Sequence, residues 1–241
     1  MTSGQDTGAP TWMFLPGTLC DARVFDPLMA ALGPSFVGAG RVVPRINSAS
    51  VADLAAHSVT GMADRFYVVG FSLGCQVAFE ILRQYPERCQ GVVLISTTAR
   101  ADLPEMTPVR RAMVHQFEQM GPREFVETQL WEKYVAEPKT SRTDIKSLVL
   151  DMASNTRIDD FSHQIELAIT RPSSLEDLSH FTAPVLVING AQDVLTPMEL
   201  GEEIATAARA GTHKVISNAG HFVLLEQVQK TANAIKEWCE T

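Results

Sequence analysis

Ser72 stands at the centre of Gly70-Phe71-Ser72-Leu73-Gly74, directly after the apolar run Tyr67-Val68-Val69 and directly before residues with helical spacing. That pattern fits a nucleophile elbow, where a buried strand turns sharply into a helix and holds a strained serine at the apex. The glycines at 70 and 74 remove side chains where strand and helix would collide. A serine hydroxyl is a weak nucleophile until a base takes its proton. Of the six histidines, His57 falls in the helical pattern before the elbow, and His115, His163 and His180 fall in or beside a long helical stretch. His213 is expected to begin the last strand, at the wrong end for such a site. His221 remains, in Asn218-Ala219-Gly220-His221, just past the end of that strand. The carboxylate that would fix the imidazole tautomer and stabilise its charged form is Asp193, in Gly190-Ala191-Gln192-Asp193 directly after Val185-Leu186-Val187-Ile188. The other strand end that could supply an acid carries Ser96, Thr97 and Thr98. An oxyanion needs two N–H donors. Leu73 offers one at the helix N-terminus, and Thr18 offers the second in the turn Pro16-Gly17-Thr18. Serine-based acyl transfer is the chemistry this set predicts.

These residues need strand ends to hold them. Apolar, β-branched runs predict six strands, over 11–15, 40–44, 65–69, 91–96, 184–189 and 213–217. Helical patterns lie between them, over 20–32, 51–63, 197–208 and 225–238, besides the helix that follows the elbow. Ser50 can cap the helix from 51, Pro197 is expected at the first position of its helix, and Pro86 ends the elbow helix. On that helix Leu73, Val77, Ala78, Ile81 and Leu82 recur at spacings of three and four, one face for the sheet. Strands alternating with helices predict an α/β fold, a mostly parallel sheet of six strands with helices on both faces.

Between residues 99 and 184 the rhythm breaks. No strand is evident there. Helical patterns over 107–119, 123–134, 141–153 and 157–170 are punctuated by Pro104, Pro108, Pro122, Pro138 and Pro172. The expected organisation is therefore an α/β core of residues 1–99 and 184–241, with residues 100–183 inserted after the fourth strand as a helical cap over the sheet's carboxyl edge, where ligands bind in open α/β sheets. Phe117 and Trp131, with Met106, Met113, Met120, Phe125, Leu130 and Met152, are candidates for an apolar substrate pocket or for the cap's own core. Arg157 and Arg171 are candidates to meet a substrate carboxylate, or surface ion-pair residues.

The balance of 20 Lys and Arg against 28 Asp and Glu leaves a net charge of −8 over 241 residues. An acidic chain argues against nucleic acid or an anionic membrane as the main partner. Four cysteines without Cys-Xaa-Xaa-Cys spacing read as free thiols, so neither a zinc site nor a thioredoxin-like motif is expected, and serine-based acyl transfer needs no metal or organic cofactor. Residues 1–10 lack the basic start and apolar run of a signal peptide, and no apolar stretch approaches a membrane span. A cytoplasmic protein acting on a small molecule is the expectation.

From residue 11 to 238 the chain resembles the α/β-hydrolase superfamily, and more narrowly the small bacterial esterases of the pimeloyl-ester esterase and menaquinone-synthase-like group. The resemblance rests on Gly70-Phe71-Ser72-Leu73-Gly74, on Gly190-Ala191-Gln192-Asp193 with Thr196-Pro197, on Asn218-Ala219-Gly220-His221, and on Tyr85-Pro86-Glu87-Arg88 before a strand. Two positions depart from it: Pro16 stands where His precedes the oxyanion glycine, and Cys75 where a further glycine is common. The resemblance implies a cofactor-free serine hydrolase of a carboxylic ester, thioester or lactone of a small to medium acyl group. A lyase or synthase of the menaquinone type, a cofactor-free perhydrolase and a non-catalytic small-ligand-binding module are the alternatives. Serine rather than aspartate at the elbow disfavours dehalogenase and epoxide hydrolase chemistry.

Overall fold

The computed structural model describes residues 10–38, 40–136 and 142–240. Its centre is one all-parallel sheet of β1 (Trp12–Leu15), β2 (Arg41–Val42), β3 (Phe66–Phe71), β4 (Cys89–Ile95), β5 (Val185–Gly190) and β6 (Gly211–Ile216). The period of two along each strand explains why these runs are apolar throughout. Trp12, Phe14, Val69, Phe71, Val93, Ile95, Leu186 and Ile188 pack into a core on one face. Their neighbours Met13, Leu15, Val68, Val92, Leu94, Val185 and Val187 pack into a second core on the other. The edge strands depart from this: β2 is half-buried throughout, and β6 has Lys214 and Val215 exposed.

The strand order is β2-β1-β3-β4-β5-β6. The chain runs outward from β1 to β2, then crosses back to lay β3 on the other side of β1. The order therefore reverses between β1 and β3, and a crevice opens there at the carboxyl ends of the strands. The turn after β1 and the elbow after β3 flank that crevice.

The helix Gly74–Gln84 buries Val77, Ala78, Ile81 and Leu82 in the second core, and Val228–Cys239 buries Ala232, Ile235 and Trp238 in the first. Ser50 caps Val51–Val59, its hydroxyl accepting from Asp53 N at 3.2 Å. Between β4 and β5 the described residues are helical, chiefly Thr107–Met120, Thr143–Ser154 and Ile158–Thr170.

Several sequence expectations need correction. The mostly parallel sheet that was expected is found, parallel throughout, but β3 runs on to Phe71. The helix expected over 20–32 divides into a 3₁₀ turn, Ala22–Phe25, and an α-helix, Asp26–Leu32, because Pro27 lacks the N–H that a continuous helix would use. The helix expected over 123–134 is broken by a π segment, Val126–Leu130. Pro197 is the N-cap of Met198–Ala207 rather than its first residue. His213 lies within β6 rather than at its start, its ring 3.1 Å from Asn189 Oδ1, and burial holds its pKa below the usual histidine range. The short helices Pro34–Val37, Leu175–His180 and Val223–Glu226 were not anticipated. The readings of residues 1–9, of Pro138 and of Ser141 as a helix start lie outside the described residues.

Candidate active site

Ser72 has φ 51°, a left-handed conformation that costs an L-residue about 1–2 kcal/mol. Two neighbours hold it there. Its N–H donates to Ile95 O at the end of β4 (2.8 Å), and Thr97 Oγ1 donates to Ser72 O (3.1 Å). A Cβ on Gly74 would strike the carbonyl of Leu15, and one on Gly70 would sit 2.8 Å from Cys75 Cα. The elbow helix can lie this close to β1 only with glycine at 74. Cys75 packs below; burial pushes its thiol up to about 12, and it is chemically quiet at neutral pH.

His221 and Asp193 arrive from the ends of β6 and β5. His221 Nε2 is 2.9 Å from Ser72 Oγ, and His221 Nδ1 is 2.9 Å from Asp193 Oδ2. With Nδ1–H donating to the carboxylate, Nε2 is left to accept from the serine hydroxyl. Asp193 accepts three more hydrogen bonds, from Leu195 N and Thr196 N at 2.9 Å each and from Thr196 Oγ1 at 2.5 Å. Burial alone would raise its pKa; the charge and hydrogen bond of His221 and the Thr196 donors outweigh that and hold the carboxyl below the usual range. The imidazole lies against Phe71 and stacks on Tyr134, at centroid distances of 5.4 and 6.1 Å.

The loops that carry Asp193 and His221 touch through backbone. Ala191 N donates to Ile216 O and Gln192 N to Ala219 O, both 2.9 Å, and a Cβ on Gly190 would collide with Gly220 O. Behind them lies Glu226, whose carboxylate is fully buried. It accepts from Gly220 N and from Ala136 N, each at 2.7 Å, with Arg142 Nη2 at 3.5 Å. Burial nevertheless raises its pKa. Glu226 thus joins the residue before His221 to the insertion, which also takes Phe222 N onto Tyr134 O (3.1 Å).

Thr18 and Leu73 flank Ser72 at the wall of a cavity of about 450 Å³, a size suited to a small-molecule ligand. Gln164 supports the turn after β1: its Oε1 accepts from Leu19 N (3.0 Å) and its Nε2 donates to Ile46 O (2.8 Å). Neither Gln164 nor Glu226 stood out in the sequence, because nothing in a helical pattern marks a polar residue whose partners lie on another segment.

The segment between β4 and β5 supplies much of the remaining wall, including Met106, Met113, Leu130 and Tyr134. Of the four candidate substrate contacts, only Arg171 reaches the cavity. Phe117 packs against Phe125 and Phe161 (4.5 Å between the rings of Phe117 and Phe161) in a part of the first core away from the cavity. Trp131 is buried with Lys146 Nζ 5.7 Å over its ring. Arg157 is a surface residue facing Asp159. Met120, Phe125 and Met152 also lie away from the cavity wall. Short helices satisfy their apolar faces against one another first. Lys133 and Arg110 line the cavity and were not anticipated. Among the described residues, no cluster of three or more His, Cys, Asp or Glu side chains could hold a metal ion, and no helix is long and apolar enough to cross a membrane.

Residues 62–228 match the sequence profile of the alpha/beta hydrolase fold. The chain belongs to the α/β-hydrolase family. It is similar to the biotin biosynthesis bifunctional protein BioHC of Cellvibrio japonicus, at 21% identity over 96% of this chain and 48% of that protein. It spans about half the length of that relative. A pimeloyl-[acyl-carrier protein] methyl ester esterase of Chromobacterium violaceum is 25% identical over 85% of this chain and 80% of that protein. BpoC of Mycobacterium tuberculosis, whose name assigns it provisionally to the non-heme bromoperoxidases, is 29% identical over 77% of this chain and 72% of that protein. Among solved structures, a thermophilic esterase from Thermogutta terrifontis superposes with a TM-score of 0.84 at 24% identity, covering 97% of this chain and 90% of that one.

Proposed function

We propose that this α/β hydrolase cleaves a carboxylic ester, thioester or lactone through an acyl-enzyme on Ser72. The observation that carries the reading is the continuous path Ser72 Oγ, His221, Asp193, at 2.9 Å for each step, with the serine opening on the cavity. Ser72 Oγ attacks the carbonyl while His221 Nε2 takes its proton, and the N–H groups of Thr18 and Leu73 hold the oxyanion. The C–O or C–S bond breaks as His221 returns the proton to the leaving group. Water, deprotonated by His221, then attacks the acyl-enzyme, and the proton passes back to Ser72. Asp193 keeps Nδ1 protonated throughout. Residues 100–183 act as a cap that sets the acyl length. The ester reading also rests on the likeness to the methyl ester esterase.

The likeness to BpoC favours one second reading, in which hydrogen peroxide replaces water at the acyl-enzyme and a peracid leaves. Product analysis with and without peroxide separates the two.

Hydrolysis of p-nitrophenyl esters of increasing acyl length tests the proposal. The parent should turn over and accept a fluorophosphonate on Ser72, while Ser72→Ala should lose roughly 10⁴-fold or more in kcat. A folded parent that neither turns over any ester nor takes the label would overturn it.

A further inference from the structure

Resting on the ester reading, we infer that the cavity beside Ser72 holds a subsite for a carboxylate on the substrate, formed by Arg110 and Lys133. The inference begins with the sign of the wall. Besides His221, and Tyr134, whose buried phenol stays neutral, the titratable side chains that line the cavity are Arg110, Lys133 and Arg171, and among the described residues no Asp or Glu lines it. The chain as a whole carries −8. The local sign is therefore opposite to that of the molecule. A concave site with apolar walls focuses such a field on whatever enters.

One carboxylate stands behind this wall. Asp102, nearly buried, takes Arg110 Nη2 at 2.7 Å and Arg171 Nη2 at 2.8 Å, with Arg110 Nε on its second oxygen. Two guanidinium groups share one carboxylate, so with Lys133 the wall keeps an excess of two positive charges.

The two arginines have different duties. Arg171 is committed to protein partners: Nε donates to Arg100 O (3.1 Å), Nη1 to Ala168 O (2.7 Å) and Nη2 to Asp102. It is a strut that fixes Asp102. Asp102 in turn grips Arg110 through Nε and Nη2, a two-pronged contact that sets the plane of the guanidinium and leaves its Nη1 hydrogens for a ligand. Arg110 reaches the cavity with its orientation already set, which lowers the entropy cost of binding. Lys133 adds an exposed ammonium beside Tyr134, the residue that stacks on His221. The substrate class that fits is an ester bearing a free carboxylate on its acyl or alcohol part. The ester carbonyl lies at Ser72 and the carboxylate lies toward the insertion.

The test compares mono-p-nitrophenyl esters of succinate, glutarate and adipate with neutral p-nitrophenyl esters of matched length. At least one charged ester should show kcat/KM about tenfold or more above its neutral partner. That ratio should fall as ionic strength rises. Arg110→Gln and Lys133→Met should each lower the ratio by about tenfold, the effect of losing one charge-assisted hydrogen bond of roughly 1.5 kcal/mol. Lys133→Glu should lower it further. Lys133 has an exposed side chain, so its variants test the subsite even if Arg110→Gln disturbs the Asp102 strut. Neutral and charged esters turned over alike, or variants that slow both equally, would overturn the subsite and leave the serine mechanism standing. No turnover of any ester, with no fluorophosphonate label, would overturn both.

Discussion

Asp193 is a carboxylate kept ionised against burial, and that has a consequence for acid stability. Its native pKa lies below the unfolded value of about 3.9, because His221 and Thr196 favour the charged form more than burial opposes it. The stability it contributes is complete above the unfolded value and is lost as pH falls through the native one. Asp193→Asn removes that contribution. In urea titrations the gap between parent and variant should be widest at pH 7 and should shrink below about pH 4. A gap that does not change with pH would mean that Asp193 acts only through shape. At this scale the sequence was most legible where backbone geometry limits the residue type. Ser72 sits between glycines that the elbow requires, and Asp193 and His221 follow strands that end in glycine-containing turns. Phe117 and Trp131 are candidates for either the cavity wall or a helix–helix core on residue type alone, and residue type cannot tell the two apart. Arg110, Lys133 and Gln164 depend on which distant segment they meet, which no local pattern records.

Glu226 belongs to the scale of elements. The sequence reads one helix over 225–238, but Gln227, with φ −132° and ψ 53°, breaks it and leaves Val223–Glu226 as a separate turn. That break lets Glu226 face back toward the loop that holds His221. Both carboxylate oxygens are used, one on Gly220 N and one on Ala136 N. In Glu226→Gln one oxygen becomes an amide nitrogen that confronts an N–H. The variant should lose about 1–3 kcal/mol of stability, the usual cost of a buried polar group without its partner. It should also lower kcat more than it raises KM, since one of its two partners, Gly220, directly precedes His221. Urea melts and steady-state kinetics on one ester check both. An unchanged kcat would reduce Glu226 to a packing role. The helices between β4 and β5 were legible as helices from their spacing and their prolines. The π segment Val126–Leu130 was not, because its extra residue per turn follows from packing rather than from periodicity.

For the whole molecule, the alternation of apolar runs with helical patterns made the α/β sheet legible. The strand order was not, since sequence spacing alone does not say on which side of β1 the chain will lay β3. The order that results puts the first two segments of the site early in the chain and the other two late. Ser72 precedes His221 by 149 residues. At the pace of a ribosome, about 5–20 residues per second, Ser72 is made roughly 7–30 s before His221. For that interval the nascent chain carries an inert serine, and it also carries β4 without β5. Cys89–Ile95 is almost wholly apolar and presents an unpaired edge until some ninety further residues have been made. Such an edge recruits other chains. A truncated protein that stops at residue 184 should therefore be recovered largely insoluble, while one that carries β5 and β6 should not; a soluble, monomeric fragment would show that the helices of the insertion shield the edge by themselves. Until β5 is made, the growing chain must depend on those helices, or on a chaperone, to keep β4 from the wrong partner.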